Sequence, residues 1–201
     1  MIQDPRLVDA LIERRSTPPD CLTAPAPDDA TLRRILQAAE SAPDHGGLHP
    51  WRFLVIRGAA LDRLGEVFVE ACRRRVPDVS DAMLERERQR ALRPPLIIAA
   101  IARVEADRPK VPEIEQLLAA GTATHQVVLA AEASGFGVVW LTGERVYDPY
   151  VQGKLDLAGN ERLIGLLNVG SRGQAAPTAA RERREAPLSL WEGPAELRPA
   201  P

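Results

Sequence analysis

At 201 residues, 45% hydrophobic and 27% charged, the chain has the composition of one globular domain large enough to bury a core. Its formal net charge of -2 supplies no field to attract nucleic acid or an anionic membrane, so any anion site has to be local. No apolar run approaches the roughly 20 residues that span a bilayer. The N-terminal MIQDPRLVDA also lacks the basic start and apolar centre of a signal peptide, which leads to the expectation of a cytoplasmic protein without nucleic-acid or membrane partners.

Pro5 to Arg15 carries Leu7, Val8, Leu11 and Ile12 at helical spacing behind a proline suited to a first turn. It ends in RRS, and the prolines of TPPDCLTAPAPD forbid further helix. A second helix opens at Asp28 or Asp29, with Leu32, Ile35, Leu36 and Ala39 on one face, and Pro43 stops it. SAPDHGGLHP follows, a loop dense in chain breakers that leads straight into WRFLVIRG, a strand by its β-branched and aromatic content. Loops of this kind, held by rigid neighbours, are where ligands are met.

Ala59 to Arg75 is helical by the spacing of Leu61, Leu64, Phe68, Ala71 and Cys72. Asp81 to Leu92 is strongly charged and reads as a solvated helix or a flap. PPLIIAAIA enters a continuous apolar run of strand length, buried on both faces. Glu113 to Ser134 is the longest helix, with Leu117, Ala120, Gly121, Thr124, Val127, Val128 and Ala131 on one stripe, whose small residues allow another helix or subunit to come close. GFGVVWLTG and RLIGLLNVG are strands separated by a short helix. The remainder is a proline-rich arm in which Trp191 is the only large aromatic. The two cysteines, Cys21 and Cys72, form no C-x-x-C pair, and Cys72 reads as a small core residue.

Three features are candidates for binding. Arg14, Arg15 and Ser16 offer the bidentate donors that suit a phosphate monoester, although a basic pair at a helix exit also compensates the helix dipole. The loop APDHGGLHPW leaves the backbone bare at its glycines and supplies polar edges at Asp44, His45 and His49. GFGVVWLTG carries Trp140 near its end, and by itself reads as a plain buried strand. His45 and His49 would share a face only in a helix, which Gly46, Gly47 and Pro50 oppose; a zinc site would need Asp44 or His125 as well, and His125 reads as a packed helix residue. There is no G-x-S-x-G, no cysteine beside a base and no G-x-G-x-x-G after a strand. The residues point to a planar ligand bearing a phosphate and stop short of a reaction.

IERRS, APDHGGLHPWRFLVI, KVPEIEQLLAAG, GFGVVW and GLLNVG, in that order over residues 7–172, resemble the flavin-dependent nitroreductase family, nearest to its small single-domain NAD(P)H nitroreductase subgroup. The resemblance implies an α+β fold with a central mixed or antiparallel sheet flanked by helices, forming an intertwined homodimer with FMN at the interface. Residues 1–172 would form the FMN-binding domain, and residues 173–201 an extended arm packing on the partner subunit. Arg14, Arg15 and Ser16 would hold the phosphate and ribityl chain. Pro43, Asp44, His45 and Gly47 would come from the second subunit, and Trp140, Leu141 and Thr142 would run beside the isoalloxazine with backbone N–H groups near N5.

The reaction so implied is ping-pong electron transfer from NAD(P)H through flavin N5 to a nitroaromatic or quinone, the cofactor carrying the chemistry and no side chain named as catalytic. Two departures stand out. The family often reads P-S-x-x-N-x-Q-P-W where this chain has PDHGGLHPW, with Gly47 in place of the amide and His49 in place of the glutamine. Pro18 occupies the position of a basic residue that would favour the reduced, anionic ring. The alternative reading is therefore a relative that binds flavin or another small molecule without NAD(P)H turnover.

Overall fold

In the computed structural model, residues 4–174, 176, 185–191 and 193 are described; the rest of the C-terminal arm lies outside the described residues. The first helix, α1, spans Pro5–Glu13, with Asp4 as its N-cap accepting from the Arg6 N–H at 3.0 Å. It stops two residues before the expected end. Arg14 is already extended (φ −51°, ψ 132°), and the Thr17 N–H donates to Val138 O at 2.9 Å. A tertiary hydrogen bond thus draws RRST out of the helix and along a strand.

A single turn at Pro19–Cys21 leads into β1, Leu22–Thr23, a two-residue strand that the flanking prolines hid from sequence reading. Next, α2 spans Asp29–Gln37, capped by Asp28, and a turn at Ala38–Ser41 carries it to the loop. The chain continues through β2 (Trp51–Arg57), α3 (Ala59–Arg75), α4 (Asp81–Leu92), β3 (Leu96–Arg103), α5 (Glu113–Ala133), β4 (Gly137–Leu141), α6 (Glu144–Tyr147), α7 (Pro149–Lys154) and β5 (Glu161–Arg172). The charged α4 is a packed helix, with Leu84, Glu87 and Ala91 buried. Cys72 sits in the small core it makes with Val69 and Leu84.

All strand pairings among the described residues are antiparallel, in the order β2, β3, β5, with β4 on the far side of β5 and β1 paired to the end of β5. Side chains of β3 alternate between two cores. Leu96, Ile98 and Ala102 pack with α2 and α5, while Ile97, Ala99 and Ile101 pack with α3, α4, α6 and α7. Burying both faces explains the unbroken apolar run of this strand. The register between β3 and β5 shifts where Ala100 faces Gly165 and Ile101 faces Leu163, which leaves Ile164 as a bulge. The extra residue reverses the alternation along β5, so Leu163 and Leu166 share one core and Leu167 and Val169 the other.

Candidate functional site

Arg14, Arg15 and Ser16 lie against the start of β4 because of the Thr17–Val138 bond. Arg14 and Arg15 are half-buried and Ser16 is exposed. The Arg14 Nη1 approaches Glu132 Oε1 at 3.8 Å, and Arg172 Nη2 approaches the same oxygen at 3.5 Å. Glu132, near the end of α5, is enclosed: that oxygen is buried and has no hydrogen-bond partner among the described residues. Burial pushes its carboxyl above the usual range, against the pull of the two guanidiniums. Gly137 makes the convergence possible, since a Cβ there would stand 2.9 Å from both Thr17 Oγ1 and the Arg172 Cγ.

The loop between α2 and β2 takes its shape from Gly46 and Gly47, at φ +81° and +63°, and from Asp44, whose Oδ2 accepts the His49 N–H at 2.7 Å. That bond holds His49 itself at φ +46°. Asp44 is therefore occupied within the loop, while Pro43, His45 and Gly47 are exposed. His45 Nδ1 lies 2.7 Å from Glu115 Oε2 at the start of α5, and because a carboxylate only accepts, Nδ1 carries the hydrogen. His49 Nδ1 lies 3.2 Å from Glu40, which also accepts from the Trp51 indole at 3.3 Å. The two imidazoles thus turn to separate carboxylates. His125, expected to be packed, is exposed on the outer face of α5.

Trp140 and Leu141 are half-buried at the end of β4, Thr142 is exposed, and Gly143 turns the chain at φ +101°. Leu141 and Thr142 open onto a cavity of about 40 Å³ lined also by Pro19, Arg93, Arg145 and Asn168. Arg93, which pairs with Asp20 at 3.0 Å, is thus a cation that shares this cavity with Pro19, next in sequence to Pro18, the position of the expected basic residue.

The structure brings Arg14–Ser16 to β4 but keeps the histidine loop away from both. Glu115, which holds His45, and Glu132, which meets Arg14, lie at opposite ends of α5, roughly 25 Å apart at 1.5 Å per residue. The two groups of side chains therefore do not converge on one point within the subunit. Apolar surface is also left over: none of α1 is buried, and Leu7, Val8, Leu11 and Ile12 are exposed, as are Ile114 and Leu118 on α5 and Leu188, Leu190 and Trp191 of the arm. Sequence reading missed Glu132 and Arg172. The first is a lone charge among the alanines ending α5, and the second follows the glycine expected to close the last strand.

The model of the Nitroreductase family matches residues 11–171. A Haemophilus influenzae protein named "Putative NAD(P)H nitroreductase" is 36% identical over 160 residues, 80% of this chain and 86% of that protein. Among solved structures, a nitroreductase-like family protein from Bacillus cereus superposes with a TM-score of 0.76 at 21% identity, covering 96% of this chain and 100% of that one. A Desulfovibrio desulfuricans protein described as "a putative nitroreductase in complex with FMN" gives 0.67 at 25% identity, covering 94% and 100%.

Proposed function

Because the chain belongs to the nitroreductase family, we propose that it is an FMN-dependent oxidoreductase that passes electrons from NAD(P)H to a small electrophilic acceptor of nitroaromatic or quinone type, working in the cytoplasm as a homodimer with FMN at the interface. The observation that carries the shared site is the separation along α5: the phosphate-facing arginines and the glycine loop cannot meet on one ligand unless the loop serves the neighbouring subunit's cofactor. The bare apolar stripes of α1 and α5 supply the surface for that neighbour. The domain so used is residues 1–172, and the 173–201 arm, with Leu188, Leu190 and Trp191 exposed, packs on the partner.

The residues fit the cofactor on their own chemistry. Two guanidiniums with N–H donors to spare suit a dianionic phosphate, and the β4 segment ending in Trp140, Leu141 and Thr142 offers backbone polar groups to a flat ring. Arg14, Arg15 and Ser16 grip the phosphate and ribityl chain; Trp140 to Thr142 line the ring; the partner's Pro43, Asp44, His45 and Gly47 cover it. Gly47 brings backbone close, and Asp44 keeps the loop in shape. When bound, FMN would supply the electron-carrying chemistry between NAD(P)H and the acceptor, in the ping-pong sense. The protein positions the reactants and excludes water.

A visible spectrum of the purified protein tests this. Flavin absorbance that bleaches with NADH or NADPH and returns with a quinone is expected. Bound flavin that neither nicotinamide reduces would point instead to a binding protein without turnover, and protein that takes up no FMN would end the reading.

A further inference from the structure

Arg172 belongs to none of the sequence motifs, yet it closes β5 beside the segment that carries Arg14. Both guanidiniums approach one oxygen of Glu132, at 3.5 and 3.8 Å, beyond the usual 2.7–3.2 Å of an N–H···O bond. Their attraction to it is therefore electrostatic, and the carboxylate offsets the repulsion that would otherwise drive the like charges away from each other. A guanidinium has five N–H donors in a rigid fork, and neither fork is used up by partners among the described residues. The Arg172 side chain is 48% exposed and that of Arg14 25%, so part of each stays open to solvent beside the buried carboxylate. The stem of Arg172 is fixed as well, packed over Gly137 beside Thr17, which anchors the Arg14 segment.

We propose that Arg172 binds the phosphate of the mononucleotide together with Arg14, the two gathered to one point by the Glu132 carboxylate they share. The inference rests on the flavin reading and extends it to a residue outside the motifs. Three groups from the end of α1, the end of α5 and the end of β5 form a receptor with one net positive charge when all are ionised, and the anion completes it.

The test is titration of the apo-protein with FMN and with riboflavin, the same ring system without the phosphate, followed by flavin fluorescence. Arg172→Ala is expected to weaken FMN about ten- to hundredfold and to leave riboflavin within about twofold. Arg172→Lys, which keeps the charge and the stem but loses the fork, falls between. Equal losses for both flavins, or no loss for either, overturn the inference and leave the flavin reading standing. Wild-type protein that binds neither flavin overturns both.

Discussion

The indole of Trp140 occupies the space where a side chain on Gly165 would stand, and its Nε1–H donates to Ile164 O, the carbonyl of the β5 bulge, at 3.3 Å. The bulge, the glycine and the tryptophan therefore form one device. The extra residue turns its carbonyl toward β4, the missing Cβ admits the ring, and the ring caps the carbonyl. Gly165→Ala is expected to displace the indole and cost about 1–3 kcal/mol, as overpacked sites do, measured by urea denaturation. Because Trp140 ends the strand proposed to line the flavin, FMN affinity should fall in the same variant. A variant with unchanged stability would mean that the indole is free to move.

Arg14→Ala should weaken FMN about tenfold or more, the loss of one charge-assisted contact, with riboflavin affinity kept. Isothermal titration of both ligands distinguishes this from a general loss of the site. Unchanged FMN affinity would place the phosphate elsewhere.

Dimerisation is predicted to run through α1. None of its residues is buried within its own subunit, so Leu11→Glu should leave the subunit folded, with unaltered far-UV circular dichroism. Light scattering at micromolar concentration should then report a monomer for the variant and a dimer for the wild type, and flavin binding should drop with the loss of the dimer. A variant that stays dimeric would exclude α1 from the interface.

Two enclosed glutamates should tilt stability against pH in opposite directions. Arg52 donates to Glu161 through two bonds of 2.7 and 2.6 Å, and Arg103 and the Ala158 N–H add others; these hold the Glu161 carboxyl down at about 2. A depressed acid stabilises the fold above its usual range and loses that contribution as pH falls from about 4.5 toward 2. Glu161→Gln should therefore cost about 1.5–3 kcal/mol at pH 7, with the gap to wild type closing in acid. Glu132 is raised by burial, so the sign reverses. Relative to Glu132→Gln, the wild type is favoured in acid and loses ground as pH climbs above about 4.5 through the raised value. Denaturation curves across pH for the two variants check both slopes.

The sequence by itself determined most of the elements and their order, because these rest on local rules: Asp28 caps α2, the apolar run from Leu96 specifies a doubly buried strand, and Leu7, Val8, Leu11 and Ile12 form a stripe on α1. It also located three groups of candidate residues by motif. Only the tertiary structure decided how they relate. The two-residue β1, the bulge at Ile164 and the early end of α1 at Glu13 are set by partners far along the chain, which no local periodicity records. Likewise, Arg14 and Arg172 become neighbours only in the folded chain, where both approach one buried carboxylate on α5. The same helix holds the histidine loop at its opposite end, with Glu115 and Glu132 about 25 Å apart along the axis, because a rigid helix keeps its two ends apart.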